Sequence, residues 1–107
     1  MARVKIGSKA EVQPGGMIGV DVQGKKLVLV NVSGKFYAID GICTHAGGRL
    51  WEGRLINETT VKCPRHGSEY DVRTGKVLHG PWVPFGKAHD LRAYPVIEDG
   101  EELFVDI

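Results

Sequence analysis

Only two cysteines and four histidines occur in the 107 residues, and each cysteine is followed closely by a histidine. Cys43-x-His45 is followed, after 17 residues, by Cys63-x-x-His66. Chance rarely pairs both of two cysteines with histidines in this way. Two thiolates and two imidazoles form a four-ligand set, suited to zinc or to an iron–sulfur cluster. The common zinc site of this composition takes both cysteines from a hairpin and both histidines from one helix. Here each segment supplies one of each ligand, and Cys-x-His is too short for a zinc knuckle. A dinuclear cluster with thiolates on one iron and imidazoles on the other needs one ligand of each kind from each of two loops. The spacing favours that cluster. Zinc, or a structural role without ligation, is the alternative.

The elements that must hold these loops have an apolar period of two. Residues 17–22 and 26–32 read as strands separated by Gly24, and residues 35–40 follow the Ser33-Gly34 turn, making a β-hairpin. Further strands are expected at 53–56, 59–62, 69–72, 76–78, 91–97 and 103–107, the last after the turn Glu98-Asp99-Gly100-Glu101. Turn residues recur at roughly the 8–12-residue spacing of a sandwich or small barrel, and no window carries an amphipathic helix. The fold is therefore expected to be all-β and antiparallel, a β-sandwich or partial barrel. Residues 41–50 and 63–68 resist strand assignment, and each holds one Cys and one His. A third loop, 80–86, combines Pro81 and Pro84 with Trp82 and Phe85. Loops held by a rigid sheet are where chemistry is usually placed.

Cys43-Thr44-His45-Ala46-Gly47-Gly48 and Cys63-Pro64-Arg65-His66-Gly67-Ser68 resemble the two cluster-binding boxes of Rieske [2Fe–2S] proteins. The resemblance extends through the strand pattern, the Asp71-Val72-Arg73-Thr74-Gly75-Lys76 turn and the proline-bearing third loop. It is closest to the small soluble ferredoxins that serve ring-hydroxylating oxygenases. It implies a Rieske-like sandwich into which a small cluster-binding subdomain is inserted, all within a single domain spanning 1–107. It also implies one [2Fe–2S] cluster per chain, with Cys43 and Cys63 on an inner iron and His45 and His66 on an outer one. Rieske subunits of respiratory and photosynthetic membrane complexes are similar in the boxes but add a cysteine to each, forming a disulfide. Gly48 and Arg65 stand at those positions here.

Replacing two thiolates by two neutral imidazoles leaves the oxidised site neutral rather than dianionic, which raises the potential. A histidine on ferric iron should release its outer ring proton more readily than one on ferrous iron, so coupled proton transfer is expected above neutral pH. The backbone N–H groups of Gly47, Gly48 and Gly67 are expected to approach sulfur. Ser68 and Tyr70 match positions whose hydroxyls, in higher-potential relatives, donate to a bridging sulfide and to a cysteine sulfur. A turn role for Ser68 and a packing role for Tyr70 are the alternatives.

Composition narrows the rest. The chain is long enough for one domain, with 42% hydrophobic and 25% charged residues. A net charge of +1 gives no footing for nucleic acid. The longest apolar stretch, Leu27 to Val32, is broken by Asn31 and falls far short of the roughly 20 residues of a membrane span. No export signal precedes the domain, so reduced thiols and a cytoplasmic location are expected. Arg49, Arg54, Lys62 and Arg65 outnumber Glu52 and Glu58 around the boxes; solvated charges are the ordinary reading of that bias, and attraction of an acidic partner is the alternative. The expected function is one-electron carriage from a reductase to an oxygenase or other acceptor, with no small-molecule substrate and no catalysis. An oxygenase would need a mononuclear iron site of two His and one carboxylate. Only His79, His89 and Asp90 remain for one, without further chain to build a pocket. A zinc-stabilised binding module without redox activity is the other alternative.

Overall fold

A computed structural model describes residues 3–43, 48–65, 67–80 and 88–107. Eleven strands were found among these, all pairing antiparallel, as the period-two pattern requires. They form three sheets. The first joins β1 (Arg3–Ser8), β11 (Glu102–Asp106) and β10 (Val96–Asp99). The second runs β2 (Met17–Val22), β3 (Lys25–Val32), β4 (Lys35–Asp40), β9 (Ala93–Tyr94). The third is a meander of β5 (Arg54–Ile56), β6 (Thr60–Lys62), β7 (Glu69–Asp71) and β8 (Val77–His79).

The second sheet is the middle layer. Along β3 the side chains alternate between two cores: Leu27 and Leu29 face the first sheet, with Ile6, Phe36, Leu103 and Val105, while Val28 and Val30 face the third. Burial on both faces is why this strand reads as an unbroken apolar run. Its hairpin partners are set by tight turns in which Gln23-Gly24 and Ser33-Gly34 all take positive φ, the backbone demanded by a two-residue antiparallel loop. Asn31 interrupts the run for a reason: buried, it donates from Nδ2 to the Val12 carbonyl (2.8 Å) and accepts at Oδ1 from Gly34 N–H (2.8 Å).

The third sheet enters the chain as an insertion. β4 and β9 pair directly, Ala38 with Tyr94 and Ile39 with Ala93, so everything between them leaves and returns at one point. Asp40 fastens that point. Its N–H donates to the Arg92 carbonyl (2.9 Å), and its carboxylate accepts from Arg92 N–H (3.1 Å) and the Tyr94 hydroxyl (2.8 Å). A sandwich carrying an inserted subdomain is the expected architecture.

Two details differ from the expected strands. The run 91–97 is not one strand: Pro95, lacking an N–H, separates β9 from β10, and the two belong to different sheets. The strand β1 was not expected at all. Its four-residue alternation of Arg3, Val4, Lys5 and Ile6 is short, and its register with β11 shifts between Lys5 and Gly7.

Candidate metal centre

Both box loops are hairpins whose last closed rung is the cysteine. Gly41 N–H donates to Lys26 O (2.8 Å) and Leu50 N–H to Gly41 O (2.8 Å), while Ile42 bridges Arg49. Cys43 N–H then donates to Gly48 O (2.8 Å), closing the first box. The second box repeats this at the β6–β7 hairpin, where Cys63 N–H donates to Ser68 O (2.8 Å). In both, the amide of the cysteine binds the carbonyl five residues on. His45, Ala46, Gly47 and Thr44 in the first, and His66 in the second, lie outside the described residues. So do residues 81–87, most of the proline-bearing third loop including Trp82.

The two boxes meet. A Cβ built on Gly48 would stand 2.7 Å from Cys63 Sγ and 3.1 Å from Arg65 Cγ. The missing side chain of Gly48 is therefore the space that the sulfur of the opposite box occupies. Both cysteines are buried, neither is in a disulfide, and both stand in the core formed with Val28, Val30, Ile39, Leu50, Val61 and Val72. A shielded, sulfur-lined floor built from two loops suits a cluster that takes one thiolate from each.

Two buried hydroxyls stand on or next to the strand that leaves the second box. Tyr70, fully buried on β7 opposite Val61, has its phenol oxygen 3.2 Å from Cys43 Sγ. With the cysteine deprotonated, as metal binding requires, the phenol is the donor. Ser68 is also fully buried, and its Oγ has no hydrogen-bond partner among the described residues. Leaving a buried hydroxyl unsatisfied costs about 1–3 kcal/mol, so such an atom signals an acceptor that the protein itself does not supply. A bridging sulfide is such an acceptor. The Gly48 gap, the Tyr70–Cys43 contact and the orphaned Ser68 hydroxyl all fit a [2Fe–2S] cluster.

Gly67 differs from expectation. Its N–H donates to the carbonyl of Cys63 (3.3 Å), and its φ of +77° makes the turn, so its part is to close the loop. Gly48 contributes its carbonyl and its lack of a side chain. The Asp71–Lys76 turn is stiff beneath Tyr70. Asp71 O accepts from Gly75 N–H (2.7 Å), and the Asp71 carboxylate accepts from Arg73 N–H (2.8 Å) and Nη2 (2.9 Å). The Arg73 guanidinium holds the Asp71 carboxyl below its ordinary range. Asp90 likewise has a structural task, its Oδ1 accepting from Val77 N–H (2.9 Å).

Sequence reasoning missed the joint between the subdomain and the middle sheet. The Trp51 ring, on a short 3-10 turn (Leu50–Glu52), fills a notch made by two glycines. A Cβ at Gly19 would meet it at 2.5 Å and one at Gly41 at 2.9 Å. The three positions are too far apart in sequence for a local pattern to connect them.

A profile of the Rieske [2Fe–2S] domain matches residues 2–95. The ferredoxin component of the naphthalene 1,2-dioxygenase system of Pseudomonas aeruginosa is 34% identical over 97 residues, covering 91% of this chain and 88% of that protein. The solved ferredoxin of carbazole 1,9a-dioxygenase from Nocardioides aromaticivorans IC177 superposes with a TM-score of 0.86 at 31% identity, covering 98% of this chain and 97% of that one. A ferredoxin solved in complex with the reduced oxygenase of carbazole 1,9a-dioxygenase matches with a TM-score of 0.84 at 29% identity, over 96% of this chain and 91% of the other. These relatives are electron-carrying components rather than catalysts, and a zinc module is not favoured. The chain belongs to the Rieske [2Fe–2S] family and, like the ferredoxins it matches, is an electron carrier with one cluster per chain, not an enzyme.

Proposed function

We propose that this protein passes single electrons from a reductase to the terminal oxygenase of a ring-hydroxylating system, as a single domain spanning 1–107 in the cytoplasm. The ligands are Cys43 and Cys63 on the inner iron and His45 and His66 on the outer. When bound, the cluster supplies a site that takes up and releases one electron. The observation that carries this reading is the meeting of the two boxes, each cysteine on its closing rung, with the Cys63 sulfur filling the gap at Gly48. The relatives' names give the setting: they are ferredoxin components of dioxygenase systems, and one such ferredoxin was solved with its oxygenase.

The chain's own residues do three things for such a carrier. Core residues Val28, Ile39, Leu50 and Val61 exclude water from the sulfur side. The Tyr70 and Ser68 hydroxyls offer hydrogen bonds that strengthen as negative charge is added. The paired hairpins fix the cysteines on a rigid ladder, which keeps reorganisation on electron transfer small. The test is an anaerobic reductive titration of purified protein, with a reductase and oxygenase of the naphthalene type added afterwards. One electron taken up per chain, and hydroxylated product dependent on the carrier, supports the reading. Uptake of no electron sinks it.

A further inference from the structure

Several cations on this surface are paired, while others, Lys25, Lys35 and Lys76 among them, stand in no ion pair with a described carboxylate. Arg3 lies against Asp106, Lys5 against Glu102, Lys9 against Glu98, Lys26 against Asp21 and Arg73 against Asp71. Beside the second box, a concavity of about 380 Å³ is lined by Arg54, Lys62 and Arg65, with Cys63 and Gly67 in its wall and Glu52 at its rim. Among the described residues, none of the three cations lies within 4.0 Å of a carboxylate. Glu52 is engaged elsewhere, with Arg49 (3.4 Å). Glu69 stands across from Lys62 on the far side, in register but without a contact that qualifies as an ion pair.

The strand register sharpens this. Arg54 on β5 and Lys62 on β6 are directly opposed, so their side chains leave the same face of the sheet. Like charges in that relation destabilise a sheet, and of the two only Lys62 has a carboxylate, Glu69, across from it in register. Arg54 and Arg65 are exposed and Lys62 is half-buried, which leaves all three heads in reach of an incoming group. Three cations without an ion-pair partner among the described residues, converging on one hollow whose wall includes a cysteine of the redox centre, make a surface suited to anions.

We propose that this hollow is the docking point for an acidic side-chain cluster of a redox partner, seating the partner's carboxylates on Arg54, Lys62 and Arg65 against the Cys63 box. This deepens the electron-carrier reading and rests on it. Three cations converging on one hollow match a pair of neighbouring carboxylates in charge. Their second effect is on encounter: a concentrated positive patch beside the second box speeds productive collisions with an acidic face and is sensitive to salt.

The test is stopped-flow oxidation of the reduced holoprotein by two complexes of equal and opposite charge, ferricyanide and tris(phenanthroline)cobalt(III). The variant Arg54→Gln/Lys62→Gln/Arg65→Gln is compared with Arg3→Gln/Lys5→Gln/Lys9→Gln, which removes the same charge from the first sheet and its border. The pocket variant should react with ferricyanide about tenfold more slowly at low salt, while the control stays within about twofold of the parent. The cationic oxidant should not slow. Loss of nearby positive charge lowers the potential and so raises the driving force, which means that a slower ferricyanide reaction cannot arise from energetics. Equal slowing with both oxidants, or equal loss in both variants, overturns the proposal. A preparation that accepts no electron would instead refute the carrier reading, before either oxidant is added.

Discussion

Replacing Tyr70 by phenylalanine deletes one oxygen from the core and leaves the ring that Val61 and Val77 flank. The phenol lies 3.2 Å from Cys43 Sγ. A hydrogen bond to a neutral acceptor contributes about 0.5–1.5 kcal/mol and one to a charged acceptor about 1.5–3 kcal/mol. Adding an electron to the centre moves the sulfur toward the second case, so the bond favours the reduced form by about 1–1.5 kcal/mol. For a one-electron couple about 59 mV corresponds to a tenfold change, or about 1.4 kcal/mol, so Tyr70→Phe should lower the potential by about 40–65 mV. Ser68→Ala should lower it by a similar amount, because its buried Oγ has no acceptor among the described residues. The two hydroxyls reach different atoms, so the double variant should approach the sum. Spectroelectrochemical titration reads all three. Unchanged potentials in both single variants, with visible spectrum and melting temperature preserved, would refute the reasoning.

Other outcomes follow from the same geometry. Gly48→Ala puts a methyl where the Cys63 sulfur stands, so iron per purified chain should fall sharply while far-UV circular dichroism persists. Gly41→Ala forces its new Cβ onto the Trp51 ring and the Leu27 backbone and should cost about 1–3 kcal/mol, read as a lower midpoint in urea. Trp51→Phe should then partly rescue the Gly41→Ala variant, since the smaller ring vacates the notch. Burial and the bond to Asp40 push the Tyr94 hydroxyl up to about 12. Because the folded protein prefers the neutral phenol, this stabilisation is complete below about pH 10 and is lost between about pH 10 and 12, at most about 2–3 kcal/mol. Urea unfolding across that range should lose less in Tyr94→Phe than in the parent.

The ligand loops were legible in the sequence because their chemistry admits few residue types: nothing but thiolates and imidazoles at that spacing would make the set. The hairpins were legible too, since Gln23-Gly24 and Ser33-Gly34 supply the positive φ that a two-residue turn requires. What escaped was long-range. The run Leu27–Val30 read as a strand, but only the structure says that it is buried on both faces, Leu27 and Leu29 serving one core and Val28 and Val30 the other. Pro95 was visible as a residue without an N–H, yet its effect depended on β9 and β10 belonging to different sheets. Gly48 was read as a residue whose amide reaches sulfur without side-chain obstruction; that the space belongs to a sulfur from a loop 15 residues away is visible only in the structure. The basic residues beside the second box were noticed, but their convergence on one hollow depends on the β5–β6 register.

The central claim is a cluster anchored by Cys43 and Cys63 on one side and His45 and His66 on the other. Pulsed EPR of the reduced protein, grown with 15N-labelled histidine, tests it most directly. The account predicts a signal whose average g lies below the free-electron value, with two strongly coupled histidine nitrogens, one of them lost in each of His45→Cys and His66→Cys. An EPR-silent protein carrying zinc, or a cluster signal without histidine coupling, would contradict it.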